Sequence, residues 1–153
     1  MRIMKIALGA DSAGFAMKEK IIAHLNERGF ETVDVGAYDS ASSHYPEFAY
    51  KVATAVSEKE VDFGILVCGT GIGMSIAANK VKGVRASVCS EHFSTKYTRL
   101  HNDANVLCLG ARVIGEGLAI ELVDIFLDTE AEGGRHALRV DMIREIEAGT
   151  YNK

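Results

Sequence analysis

Five short strand-like runs, each followed by a turn and then by residues at helical spacing, constrain this chain more than any other feature. The runs are Ile3–Leu8, Thr32–Val35, Phe63–Cys68, Val84–Cys89 and Val106–Leu109. Helix-period stretches lie between and after them. The first carries Phe15, Ile21, Ile22 and Leu25 and stops at Gly29. The second carries Phe48, Ala49, Val52, Ala53 and Val56 behind Pro46. A third runs through Ile76–Ala78, and a fourth carries Phe93, Tyr97 and Leu100, with Ser90 as its expected cap. A fifth carries Leu118, Leu122, Ile125 and Phe126. Strands alternating with helices over short connections form a parallel sheet covered on both faces. Phe63–Cys68 is apolar on both faces, as a central parallel strand is. The expected architecture is therefore α/β: a three-layer α/β/α sandwich on a five-stranded, parallel, Rossmann-like sheet. Behind the polar break Asp128–Gly134, Arg135–Ala148 reads as an extra C-terminal helix outside the alternation, free to pack on a partner subunit. No repeat or linker interrupts residues 1–153, so a single domain is expected, and a chain of this length can bury a core without staples.

Charge and cysteine usage narrow the partners. With 17 Lys+Arg against 21 Asp+Glu, the net charge is −4. A mildly acidic chain lacks the basic footprint of a nucleic-acid binder but can still hold a local pocket for one anion. No apolar run approaches the roughly 20 residues of a membrane span. The apolar start, Met1–Ala10, is broken by Lys5 and stopped by Asp11, too short for a secretion signal. The expectations are a cytoplasmic protein, no membrane partner and no nucleic acid. Cys68, Cys89 and Cys108 form an odd set, which argues against a disulfide framework.

In open parallel sheets, ligands sit beyond the carboxyl ends of the strands. That singles out Asp11-Ser12, Cys68–Gly73 and Gly110-Ala111-Arg112. Cys68-Gly69-Thr70-Gly71-Ile72-Gly73 is the sharpest local feature. Alternate glycines let backbone N–H groups converge at a helix N-terminus, where they stabilise a phosphate or a developing oxyanion. A cysteine at that lip is favoured as a thiolate and can serve as a base. The plainer reading is a small buried cysteine beside a tight turn, and Cys89 and Cys108, without such glycines, are read that way. The spacing is not the dinucleotide fingerprint. The first turn, Gly9–Gly14, lacks the Lys-Ser/Thr pair of a nucleotide phosphate loop, since Phe15 and Ala16 stand there. His101, followed by Asn102, closes a helix and is either a proton-transfer group or a plain helix-end histidine with Asn102 as the cap. Arg135 and Arg139 share a helix face and suit a phosphate dianion, or else pair with Asp141 or Glu145. His44-Tyr45-Pro46 closes a long polar loop, and Tyr45 can line a pocket. No His/Cys/Asp/Glu set has metal-ligand spacing, so neither a metal nor another cofactor is expected.

Together these residues resemble the family of ribose-5-phosphate isomerase type B and the galactose-6-phosphate isomerase subunits. The resemblance runs from Lys5 to about Ile146. It rests on Gly9–Gly14, on Ile65–Gly73 with Ser75–Lys80, on His101–Val106 and on Glu132–His136. It implies a five-stranded parallel sheet and a homodimer or homotetramer with active sites shared between subunits. It also implies metal-free interconversion of an aldose and a ketose phosphate, ribose 5-phosphate first. Cys68 is then the base moving a proton between C1 and C2. Thr70 and the N–H groups of Gly69–Gly73, those of Gly69, Gly71 and Gly73 among them, hold the enediolate oxygens. His101 opens the sugar ring with Asp11 and Asn102, and Arg112, Arg135 and Arg139 hold the phosphate. Ser12 and Tyr45 complete the pocket.

Two departures bear on the substrate. The ribose enzymes usually carry histidine where this chain has Ser12, and commonly aspartate where it has His44. The Asp-Ser-Ala-Gly turn looks like relatives acting on other sugars, tetrose phosphates and galactose 6-phosphate among them. The alternatives are therefore another sugar phosphate (erythrose 4-phosphate, allose 6-phosphate or galactose 6-phosphate) or a non-catalytic sugar-phosphate sensor. Cys68 and His101 together speak against the sensor, which needs no base.

Overall fold

A computed structural model of the protein describes residues 2–152. Five strands and six helices follow one another in the expected order. They are β1 (Lys5–Ala10), α1 (Phe15–Glu27), β2 (Glu31–Asp34), α2 (Tyr45–Ser57), β3 (Phe63–Cys68), α3 (Ile72–Ala78), β4 (Ala86–Val88), α4 (His92–Asn102), β5 (Val106–Gly110), α5 (Glu116–Asp128) and α6 (Arg135–Ala148). The sheet order is β2-β1-β3-β5-β4, and every pairing is parallel. β3 lies at the centre, with Leu66 opposite Gly9 on one side and Cys108 on the other.

Side chains alternate between two cores, as the period of a strand demands. Ile6, Leu8, Ile65, Val67, Leu107 and Leu109 pack under α1 and α5. Ala7, Leu66, Cys68, Val106 and Cys108 pack under α2 and α3. Cys68 therefore faces the α2/α3 layer. The three-layer α/β sandwich expected from periodicity is the fold observed. Among the described residues, no helix is long and apolar enough to cross a membrane.

The differences lie at element ends. β4 is shorter than the expected strand Val84–Cys89, pairing with β5 over Ala86–Val88, and the Asn79 side chain brackets Ala86: its Oδ1 accepts from the Ala86 N–H at 2.7 Å and its Nδ2 donates to the Ala86 carbonyl at 2.9 Å. α4 is capped by Glu91, not by Ser90. The Glu91 carboxylate accepts the Ser94 N–H at 2.9 Å, a bond that holds the carboxyl below its usual range. The C-cap of the same helix is Asp103, in the left-handed region, not Asn102. A fully buried lysine, Lys18, is unforeseen. Its ammonium donates to Asp34 at 2.7 Å and to the Ala37 carbonyl, pinning the loop that leads to Tyr45. α6 buries only His136 and Val140, leaving Leu138, Met142, Ile143 and Ile146 in solvent.

Candidate active site

β3 ends at Cys68, and the glycine-rich loop turns directly into α3. The thiol is 5% exposed, and its Sγ accepts the Gly71 N–H at 3.1 Å. The Ile72 N–H is turned onto Thr70 Oγ1 at 3.2 Å. Two of the loop's expected anion donors are thus engaged within the loop itself. Gly71 has φ +79°, and a Cβ there would stand 2.9 Å from Leu109 backbone, so both conformation and space demand glycine. At Gly73 a Cβ would meet the Tyr45 ring at 2.5 Å; the missing side chain lets that ring lie against the loop. A cleft of about 470 Å³ opens here, lined by Asp11, Tyr45, Cys68, Gly69, Thr70 and Gly73, with Ile72 and Ile76 at its rim. Asp11 holds the Gly14 N–H at 3.1 Å. Ser12 follows Asp11 on the same turn without lining the cleft. The Arg112 guanidinium lies over Gly69, with Nη1 3.7 Å from the position of an added Cβ. Asp11, Tyr45, Cys68, Gly69, Thr70, Gly71, Gly73 and Arg112 are therefore brought to one edge of the sheet.

His101, Asn102, Arg135 and Arg139 are not brought there. α4 starts beyond β4 and runs back across the sheet, and an 11-residue helix spans about 16 Å. His101 and Asn102 therefore emerge at the amino edge of the strands, where the turn into α6 also lies. Two arginines, Arg99 buried and Arg85 partly buried, fasten this end. Arg85 donates to the Asn102 carbonyl at 3.0 Å and the Asp103 carbonyl at 2.8 Å. Arg99 binds Asp103 at 2.9 Å and the Thr129 carbonyl at 3.0 Å. The Glu132 N–H donates to the Leu100 carbonyl at 2.9 Å, docking the α5–α6 turn on α4. Asn102 and His101 line a second cleft of about 370 Å³ with Ser87, Val88, Phe93 and Tyr97. No residue lines both this cleft and the one at Cys68. Among the described residues, Arg135 and Arg139 make no ion pair; Asp141, one expected partner, is taken by Arg144 at 2.6 Å.

Two features escaped the sequence reading. His136 is buried and stacks on His101, with ring centroids 3.8 Å apart. With Glu132 the two histidines form a His–Glu–His cluster whose ligand atoms lie within 4.8 Å of one another. The spacing of Glu132 and His136, four apart at a helix start, was its sole sequence signal, since His101 is remote in the chain. Burial, and then the His101 ring, lower the His136 imidazole from its ordinary value. Burial likewise pushes the Cys89 thiol up and the Cys108 thiol well up, as expected of inert core cysteines.

The model of the ribose/galactose isomerase family matches residues 6–143. The chain belongs to the ribose/galactose isomerase family. It is 54% identical to ribose-5-phosphate isomerase B of Escherichia coli over 94% of this chain and 96% of that relative. It is 44% identical to the D-erythrulose-4-phosphate isomerase of Pectobacterium atrosepticum, covering 92% and 93% of the two chains. The structure of ribose-5-phosphate isomerase B from Clostridium thermocellum superposes with a TM-score of 0.94 at 50% identity, over 95% of this chain and 99% of that one. The Mycoplasma genitalium enzyme, solved with bound ribulose 5-phosphate, superposes at 0.91 with 41% identity, over 96% and 99%. The chain is thus an isomerase of the aldose–ketose type, and the family match spans both edges of the sheet: the Cys68 loop and the His101 turn.

Proposed function

We propose that the protein interconverts an aldose phosphate and its ketose by cysteine-based proton transfer, with ribose 5-phosphate as the first substrate, and that residues 1–153 form one catalytic domain. The observation that carries the reading is Cys68 Sγ at the floor of the cleft, facing the Gly71 N–H at 3.1 Å. In this reading His101, with Asp11 and Asn102, moves protons so that the hemiacetal opens. Cys68 as thiolate removes the C2 proton, and the electron pair flows to O1 to leave an enediolate. A proton passes from O2 to O1, and Cys68 returns its proton to C1. Thr70 and the N–H groups of Gly69, Gly71 and Gly73 stabilise the developing charge on the oxygens. Arg112, Arg135 and Arg139 bind the phosphate, with Ser12 and Tyr45 shaping the pocket.

The two edges meet only if a second copy supplies one of them, so the working form in this reading is a homodimer or a homotetramer with shared sites. What supports it is apolar surface left open beside each cleft: Ile72 and Ile76 next to Cys68, Val88 and Phe93 next to His101. In a two-fold assembly one patch serves both subunits.

Ketose formation from ribose 5-phosphate, erythrose 4-phosphate, allose 6-phosphate and galactose 6-phosphate, without added metal, tests the substrate. The expected result is highest kcat/KM with ribose 5-phosphate. A preference for the tetrose would support the second reading, favoured by Ser12 and by the D-erythrulose-4-phosphate isomerase relative. No turnover of any of the four would overturn both.

Arg135→Ala tests the phosphate clamp. Loss of a charged hydrogen bond, about 1.5–3 kcal/mol, raises KM by roughly tenfold or more, with kcat much less affected. An unchanged KM in steady-state kinetics removes Arg135 from the site.

A further inference from the structure

Outside the Cys68 cleft, His101, Glu132 and His136 bring two imidazoles and a carboxylate together, their ligand atoms within 4.8 Å of one another. The two rings are parallel to within 6°. A metal takes each imidazole's lone pair in the plane of the ring, and two rings stacked face to face do not both aim in-plane at one ion between them. The arrangement instead suits a clamp. His101 is one-third exposed and on its own would be free to turn. Tyr97, one turn earlier on α4, meets it edge-on at 4.9 Å and 82°, and Phe93 stacks behind Tyr97 at 4.2 Å. His136 covers a face of the His101 ring from α6. Glu132 Oε2 faces both Nε2 atoms, 3.8 Å from His101 and 3.4 Å from His136. Asp103 and Arg144 line the cleft beside the pair, and Arg135 and Arg139 flank His136 along α6.

We propose that His136 is the positioning residue of His101: its buried ring holds the His101 imidazole in one plane against Tyr97, with Glu132 as the shared counter-charge. The proposal rests on the role of His101 given above. A neutral partner is the right one for this task, because a second cation stacked on the ring would oppose each protonation of His101. Burial, then the His101 ring and the Arg135 and Arg139 cations, hold the His136 imidazole below its ordinary value, against the opposing pull of Glu132. Glu132 is carried on the turn whose N–H docks on the Leu100 carbonyl, so ring, carboxylate and helix end move as one unit.

The test compares His136→Phe, His136→Leu and His101→Asn in the full chain, with thermal melting as the check on folding. Phenylalanine keeps a flat ring in the site; leucine fills it but offers no face to stack on. Each is assayed on whichever sugar phosphate the wild-type chain turns over fastest. His136→Leu is expected to lower kcat about tenfold or more with KM nearly unchanged, since small misplacements of a catalytic group are costly. His136→Phe is expected to restore most of that loss. If both variants stay within about twofold of wild type while His101→Asn falls, the positioning role is overturned and the role of His101 stands. If phenylalanine loses as much as leucine, the flat face is not what matters, and the proposal is equally overturned. If His101→Asn is itself near wild type, it is the reading of His101 that fails.

Discussion

Cys68→Ala lowers kcat by about 10²–10⁴-fold, the usual share of a general base, while the protein still folds. The thiol is small and sits at the end of β3, so its removal leaves only a minor void under α2 and α3. It also takes from the Gly71 N–H its acceptor, which gives alanine a second way to disturb the loop. Cys68→Ser separates the two effects. The hydroxyl can accept the same N–H, yet it is no base at neutral pH. Serine is therefore expected to be as slow as alanine, with a melting temperature closer to wild type. Deuterium incorporation into product in heavy water should fall in step with kcat in both variants. Near-full turnover by a folded Cys68→Ala would remove Cys68 from the proton transfer.

Two inactive variants together regain activity if the site is shared between subunits. Cys68→Ala and His101→Asn are each expected to be nearly inactive alone. When they are unfolded together and refolded, a mixed dimer contains one site with both defects and one with neither. Random pairing makes half of the dimers mixed, and each has one working site, so about a quarter of wild-type activity returns. A site built within one chain predicts no recovery. The separation of the two clefts in a single chain makes recovery the expected outcome. The apolar side chains beside each cleft, with Phe93 67% exposed and Ile76 59% exposed, provide surface for the partner.

Most of the fold is written locally. The three inner strands, β1, β3 and β5, are runs of apolar residues whose alternate members feed the two cores, and α1, α2 and α5 carry their stripes at helical spacing, so short segments report their own state. The ends are less legible because caps depend on which side chain reaches the helix: Glu91 competes with Ser90 and wins with two oxygens on the Ser94 N–H. The Cys68 half of the site was readable for the same local reason. It follows one strand, and its glycines stand next to the thiol in sequence. Lys18 was not readable, since its partners Asp34 and Ala37 come from another strand and its loop.

The His101 half depended on direction. A helix that follows a parallel strand must run back across the sheet, so a residue at its end is delivered to the opposite edge from the strand's carboxyl end. The residues His101, Asn102, Arg135 and Arg139 carry their chemistry in their identities, and the pattern of apolar runs is enough to lay down the sheet. Where those side chains stand relative to Cys68, and that His136 comes to rest on His101, follow from how α4 and α6 pack after the chain has turned back. Contacts between segments far apart in sequence leave no period or spacing in it. They exist only once the helices have docked.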